Sequence, residues 1–244
     1  MIAYMYLSII IPVYNEASRI GESLKRITAY FDSQKYQYEI IIVDDGSQDN
    51  TLSVINEFCD KDSPIKIFSY MPNRGKGYAV KLGMMKGKGK YRLFTDADLS
   101  TPIEEIEPML AHINDGYDIC IASRALSESQ IIEHQPFYRE LMGIIYNRIL
   151  RLFLSLPFSD TQCGFKCMKG SVADTIFPKL MVDRFGFDPE ILFAAQRMGY
   201  SIKEIGTRWI NSPLTTVSLI SDPLKMLGAI IKIRYHAWTG NYAH

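Results

Sequence analysis

The residues best placed for chemistry are two aspartates one residue apart, Asp96-Ala97-Asp98. Carboxylates at that spacing can hold a hard divalent cation. Mg²⁺ or Mn²⁺ takes one or two of them and fills its remaining positions with water and substrate phosphate oxygens. Two solvated loop acids would have the same spelling, so the context decides. The apolar run Tyr91-Arg92-Leu93-Phe94 leads into the pair, and Leu99-Ser100-Thr101-Pro102 opens a helix after it.

Two more acidic turns follow apolar runs. Asp44-Asp45-Gly46-Ser47 uses residues that favour turns, and a carboxylate there can also accept a hydrogen bond from a nucleotide base or ribose. Pro12-Val13-Tyr14-Asn15-Glu16 reads as a helix entry with Asn15 near the cap, or as part of the same site. Arg74-Gly75-Lys76-Gly77 places cations and backbone N–H groups near a helix start, which suits a phosphate. A solvated turn is the plainer reading of Arg74 and Lys76. Neither G-x-x-x-x-G-K-[ST] nor a G-x-G-x-x-G after the first strand is present, which disfavours a P-loop enzyme and a dinucleotide dehydrogenase.

Strands and helices alternate in the order that would position these turns. Strands are expected at Tyr6–Val13, Glu39–Val43, Ile65–Tyr70, Tyr91–Thr95 and Tyr117–Ala122. Helices are expected from about Ala17 to Phe31, Thr51 to Phe58, Gly75 to Met85 and Pro102 to Asn114. That pattern predicts an α/β fold with a mostly parallel sheet flanked by helices, its chemistry at the strands' carboxyl ends. Past Ser123 the alternation stops. Ala125 to Pro136 reads as a polar, mobile connection, Phe137 to Leu156 as an apolar helix, Cys163 to Met168 as a short strand, Asp188 to Met198 as a helix, Ile202 to Ile210 as one strand, and Asp222 to Trp238 as an amphipathic helix. We read residues 1–244 as one domain, with a nucleotide-sugar half (1–124) and an acceptor-side half (125–244).

Lys plus Arg and Asp plus Glu number 27 each, so no global basic footprint for nucleic acid exists. Four cysteines are too few for a secreted disulfide scaffold and read as reduced thiols. The N-terminus lacks a positive n-region and a small-residue cleavage site, and no stretch approaches the roughly 20 apolar residues of a spanning helix. The expectation is a cytoplasmic protein, peripheral at a membrane face. Leu224, Met226, Leu227, Ile230, Ile231 and Ile233 form a stripe that could face core or lipid. Lys225, Lys232, Arg234, Tyr235 and Trp238 beside it favour the interface.

Taken together, PVYNE (12–16), VDDGS (43–47), NRGKGYAVKLG (73–83) and DADLSTP (96–102) resemble family-2 glycosyltransferases of the GT-A fold. With RGKG, the segment SDTQCGFK (159–166) looks like the dolichyl-phosphate β-glucosyltransferase branch and its bacterial relatives. The resemblance implies a nucleoside-diphosphate-sugar donor, UDP-glucose favoured, and a polyprenyl-phosphate acceptor. It implies nucleoside contacts for Asp45 with Asp44 and Glu16, and a place in the donor site for Pro12, Tyr14 and Ala97. Asp96 would lie near ribose or sugar and Asp98 would hold Mg²⁺ or Mn²⁺ on the diphosphate. Arg74, Lys76 or Lys166 would assist the leaving group, and Asp160, Gln162 and Lys166 would close over sugar and phosphates. Arg124 and Arg139 would meet the acceptor phosphate. Ser100 stands where mannose synthases often carry Gln, which argues against GDP-mannose. Asp160 and Asp188 are the candidate bases should the acceptor be a hydroxyl, as it would be for a soluble saccharide.

Overall fold

The computed structural model describes residues 5–133, 136–184, 186–212 and 221–242, without the side chains of residues 138, 139 and 221–227. Strand β1 (Leu7–Val13) is buried on both faces along its whole length, as a central strand of a covered sheet must be. It pairs in parallel with β2 (Tyr38–Asp44) and β4 (Tyr91–Thr95), and β3 (Ile65–Ser69) extends the sheet beyond β2. On the far side β7 (Phe165–Lys169) runs antiparallel between β4 and β5 (Ile119–Ser123), and β8 (Ile202–Gly206) is parallel to β5. The resulting order is β3-β2-β1-β4-β7-β5-β8. β1 is therefore the point where strand order reverses, and the crevice beyond its carboxyl end is where such sheets bind ligands.

Alternation along the strands sends side chains to two cores. Ile9 and Ile11 meet α1 (Ile20–Asp32), whose Ile20, Leu24, Ile27 and Phe31 recur at helical spacing, and α4 (Ile106–Asn114). α2 (Thr51–Asn56), a short helix after β2, packs on α1. Ile10 faces the other side, against α3 (Lys76–Lys86). There a Cβ on Gly83 would lie 2.5 Å from Ile10 Cγ2, so glycine lets helix and strand close. The same layer holds α5 (Phe137–Leu154), α6 (Gly170–Ile176), α7 (Phe187–Arg197) and α8 (Ser221–Trp238).

The second half departs from the sequence expectation in three places. The expected mobile connection contains β6 (Gln130–Glu133), paired in parallel with β9 (Arg208–Ile210) in a separate two-stranded sheet. The run 202–210 is two strands, not one, because the chain breaks at Thr207, whose buried hydroxyl donates to Glu105 Oε2 at 3.1 Å. Helix α6 has no counterpart in the sequence reading. The stripe of α8 divides: Ile230 and Ile233 enter the core, while Ile231 points outward. Leu224 to Leu227 lie outside the described side chains. Among the described residues no helix is long and apolar enough to cross a membrane.

Candidate active site

The carboxyl ends of β1, β2 and β4 open on a cavity of about 420 Å³. The end of β1 supplies Pro12, the loop after it Tyr14 and Glu16, and that after β2 Asp45. The head of α3 supplies Gly75 and Lys76, and the loop after β4 supplies Asp96, Ala97 and Asp98. Arg124 and Gln162 reach the same space from the second half. These expected residues come together because every acidic turn follows a parallel strand, and parallel strands end on one edge.

Asp45 is 3 % exposed and its carboxylate accepts from Asn73 Nδ2 (2.9 Å), the Arg74 amide (2.7 Å) and the Gly75 amide (2.8 Å). It builds the loop that starts α3. Asp96 pairs with Lys76. Burial alone would lower the Lys76 pKa, but the carboxylates of Asp96, Asp188 and Asp98 outweigh it and hold the ammonium above the usual lysine range. Asp98 Oδ1 accepts the Ser100 amide at 3.0 Å, and Oδ2 lies 3.7 Å from Arg19 Nη1. Arg19 in turn grips Glu16 and donates to Ser212 Oγ at 2.9 Å.

Hard carboxylate oxygens facing the cavity fit a divalent ion of the Mg²⁺ or Mn²⁺ kind. No group of three His, Cys, Asp or Glu able to hold a metal occurs among the described residues. Such an ion would therefore take further oxygens from a bound ligand.

Five expected residues do not line the cavity. Asp44 is buried and ties its own turn, accepting the Ser47 amide (3.0 Å) and Ser69 Oγ (2.8 Å). The Arg74 guanidinium stacks 3.3 Å from the Tyr78 ring centre and lies 3.9 Å from Asp183. Lys166 is fully buried and donates to Asp188 Oδ1 and the Cys163 carbonyl, each at 2.6 Å. Asp160 lies behind Arg124, whose Nε (2.6 Å) and Nη2 (3.0 Å) hold it bidentately. Burial alone would raise the Asp160 pKa, yet the Arg124 guanidinium pulls it down to about 2. Burial raises that of Asp188 despite Lys166 and Lys76. The backbone of Arg139 is in α5, and its side chain is outside the described set.

The cavity also contains Asn73, the first residue of the quoted NRGKGYAVKLG motif, and Arg19, Arg184, Trp209, Asn211 and Ser212, which motif reading did not single out. Arg19 precedes a helix, and the last three arrive through β9 and the residues after it. The tryptophan in an otherwise ordinary strand was the one available signal. Trp209 lies beside Arg124, whose guanidinium carbon is 5.6 Å from its ring centre.

A cavity at the switch point of this sheet, with an Asp-x-Asp loop at its mouth, is the arrangement of a sugar transferase of the GT-A fold. The family model "Glycosyl transferase family 2" matches residues 8–177, and the chain belongs to that family and is a glycosyltransferase. It is 32% identical over 248 residues to a dolichyl-phosphate β-glucosyltransferase of Dictyostelium discoideum, covering 97% of this chain and 76% of the relative. The human dolichyl-phosphate β-glucosyltransferase is 31% identical over 247 residues, covering 96% and 76%. Among solved structures, mannosyl-3-phosphoglycerate synthase from Rubrobacter xylanophilus aligns with a TM-score of 0.68 at 18% identity, covering 98% of this chain and 76% of the other. The UDP complex of glucosyl-3-phosphoglycerate synthase from Mycobacterium tuberculosis aligns at 0.66 with 17% identity, covering 94% and 80%. At these identities the structural likeness speaks for the fold alone.

Proposed function

We propose that this glycosyltransferase moves glucose from UDP-glucose to a polyprenyl phosphate with inversion, working at the cytoplasmic face of a membrane. The named relatives support the sugar and the acceptor class. The observation that carries the acceptor is the state of the carboxylates. Glu16 is held by Arg19, Asp45 accepts from three donors, and Asp96 pairs with Lys76. Asp160 and Asp188, the two candidate bases, are committed to Arg124 and Lys166.

A hydroxyl acceptor needs a base to remove its proton. A phosphate monoester, with a second pKa of about 6, is already anionic at neutral pH and needs positioning instead. Arg124 uses Nε and Nη2 on Asp160, and Nη1, with no partner among the described residues, would meet such an anion. Asp98, with Asp96 beside it, would hold Mg²⁺ or Mn²⁺ on the donor diphosphate, where a cation offsets charge on the leaving oxygen. A glucosyl-3-phosphoglycerate synthase bound to Mn²⁺ and UDP shares this fold. Lys76 adds a fixed positive charge on the same side of the cavity.

The test is a screen of UDP- and GDP-sugars, with Mn²⁺ or Mg²⁺, against a short polyprenyl phosphate and against soluble saccharides. The reading requires glucosyl transfer from UDP-glucose to the lipid phosphate. Preference for GDP-mannose overturns the donor, and transfer only to a saccharide hydroxyl overturns the acceptor.

A further inference from the structure

We infer that Arg184 is a donor-binding residue that grips the diphosphate of the nucleotide sugar, an inference that rests on the nucleoside-diphosphate donor proposed above. Four cations line the cavity, and three have carboxylate partners: Arg19 on Glu16, Lys76 on Asp96 and Arg124 on Asp160. Arg184 differs. Among the described residues its one recorded polar contact is a long hydrogen bond, 3.5 Å, from Nη1 to Asn73 Oδ1. Its charge is therefore available to a ligand anion rather than spent on the protein.

The backbone that carries Arg184 is firmly placed on the donor side. Glu190, fully buried in α7, accepts the Met181 amide (2.8 Å) and the Val182 amide (2.9 Å), and receives the Tyr242 hydroxyl at 2.5 Å. Residues 182–184 then press on the loop at the head of α3. A Cβ on Gly75 would lie 2.6 Å from Arg184 Cγ and 2.7 Å from the Asp183 carbonyl, and one on Gly77 would lie 2.5 Å from the Val182 carbonyl. Asn73, which Arg184 touches, donates to Asp45. Arg184 thus stands against the Asp45 loop at the head of α3, lining the same cavity as Lys76 and the two aspartates that would hold the diphosphate's cation. A guanidinium fork there matches phosphate oxygens.

Two phosphates enter this cavity, and the experiment separates them. Calorimetry with Mn²⁺ present compares UDP, GDP and their nucleosides on the wild type, Arg184→Ala and Arg184→Lys, and steady-state kinetics follow the polyprenyl phosphate. Arg184→Ala should weaken the nucleoside diphosphate at least about tenfold. Nucleoside affinity, the KM for polyprenyl phosphate and the thermal midpoint should stay unchanged, and Arg184→Lys should recover part of the loss. Unchanged diphosphate affinity, an equal loss with the bare nucleoside, or a loss confined to the lipid phosphate each overturns the assignment. Failure of the wild type to bind either diphosphate instead removes the donor reading, and this inference with it.

Discussion

At the scale of single residues, the cavity is a set of matched charges, and its behaviour depends on which matches a ligand can break. Asp98 is weakly matched, with Arg19 3.7 Å away, and so is the carboxylate most available to a metal. Asp98→Asn keeps the shape and removes the charge. Transfer should fall on the order of 10²-fold or more with an unaltered unfolding curve, and an Mn²⁺ titration at fixed donor should show no saturable activation. Undiminished turnover removes the metal role.

Arg124 behaves differently because it also satisfies Asp160. Arg124→Ala strands a carboxylate that is 7 % exposed, at a cost of about 3 kcal/mol. The sign of its pH dependence follows from the lowered carboxyl. With Arg124 present, the pair stabilises above the unfolded aspartate pKa of about 3.9, and that contribution fades as pH falls toward about 2. Without it, burial raises the carboxyl above its unfolded value, so the variant's deficit should be largest at pH 7 and shrink as pH falls through that raised value and on toward about 2. Urea denaturation at pH 7, 4 and 3 checks this, and a deficit constant across pH rejects the pairing. The aspartates could be read in the sequence because they stand at strand ends. Arg184 could not, and Trp209 offered only its residue type, since nothing local ties a loop before α7 or a strand of the small sheet to the loops after β1 and β4.

At the scale of elements, the donor loop is a joint between two segments far apart in sequence. Gly75 has φ +107°, open to glycine and strained for other residues, and Gly77 meets the Val182 carbonyl. Gly77→Ala should push residues 182–184 away, costing about 1–3 kcal/mol of stability and weakening nucleotide binding in calorimetry. Gly228→Ala in α8 has nothing among the described residues within 4 Å of the new Cβ and should be neutral or slightly stabilising. Equal effects of the two substitutions contradict the joint. Element order was legible where apolar runs are continuous, as in β1, β2 and β4. It was not legible where a tertiary contact decides. The break at Thr207 depends on Glu105, about a hundred positions earlier, and β6 exists only because β9 lies beside it.

At the scale of the whole molecule, the two long helices of the second half are apolar on more than the face they bury. α5 packs on α8, and Tyr146, Leu150, Leu154, Ile230 and Ile233 point inward. Phe137, Ile144, Leu152 and Phe153 of α5, and Ile231, Tyr235 and Trp238 of α8, remain exposed, Trp238 at 84 %. Exposed Arg148, Arg151, Lys232 and Arg234 lie among them, in a chain whose net charge is zero. A basic, apolar surface suits the boundary of an anionic bilayer, where a lipid-linked acceptor would present its phosphate. Each basic residue near such a surface contributes about 1 kcal/mol, and screening by salt should weaken it. Each large side chain that inserts adds about 1.5–3 kcal/mol. Flotation with phosphatidylserine liposomes should therefore recover the protein at low salt and less of it at high salt. Leu152→Glu with Trp238→Glu should lower partitioning by roughly 10²-fold or more. Because both side chains are already solvent-exposed, circular dichroism and nucleotide affinity should not change. Turnover with a short, water-soluble polyprenyl phosphate should persist, while turnover with long-chain acceptor in liposomes should fall. Equal flotation of wild type and double variant, or equal losses with short and long acceptors, counts against this surface as the one that meets the membrane.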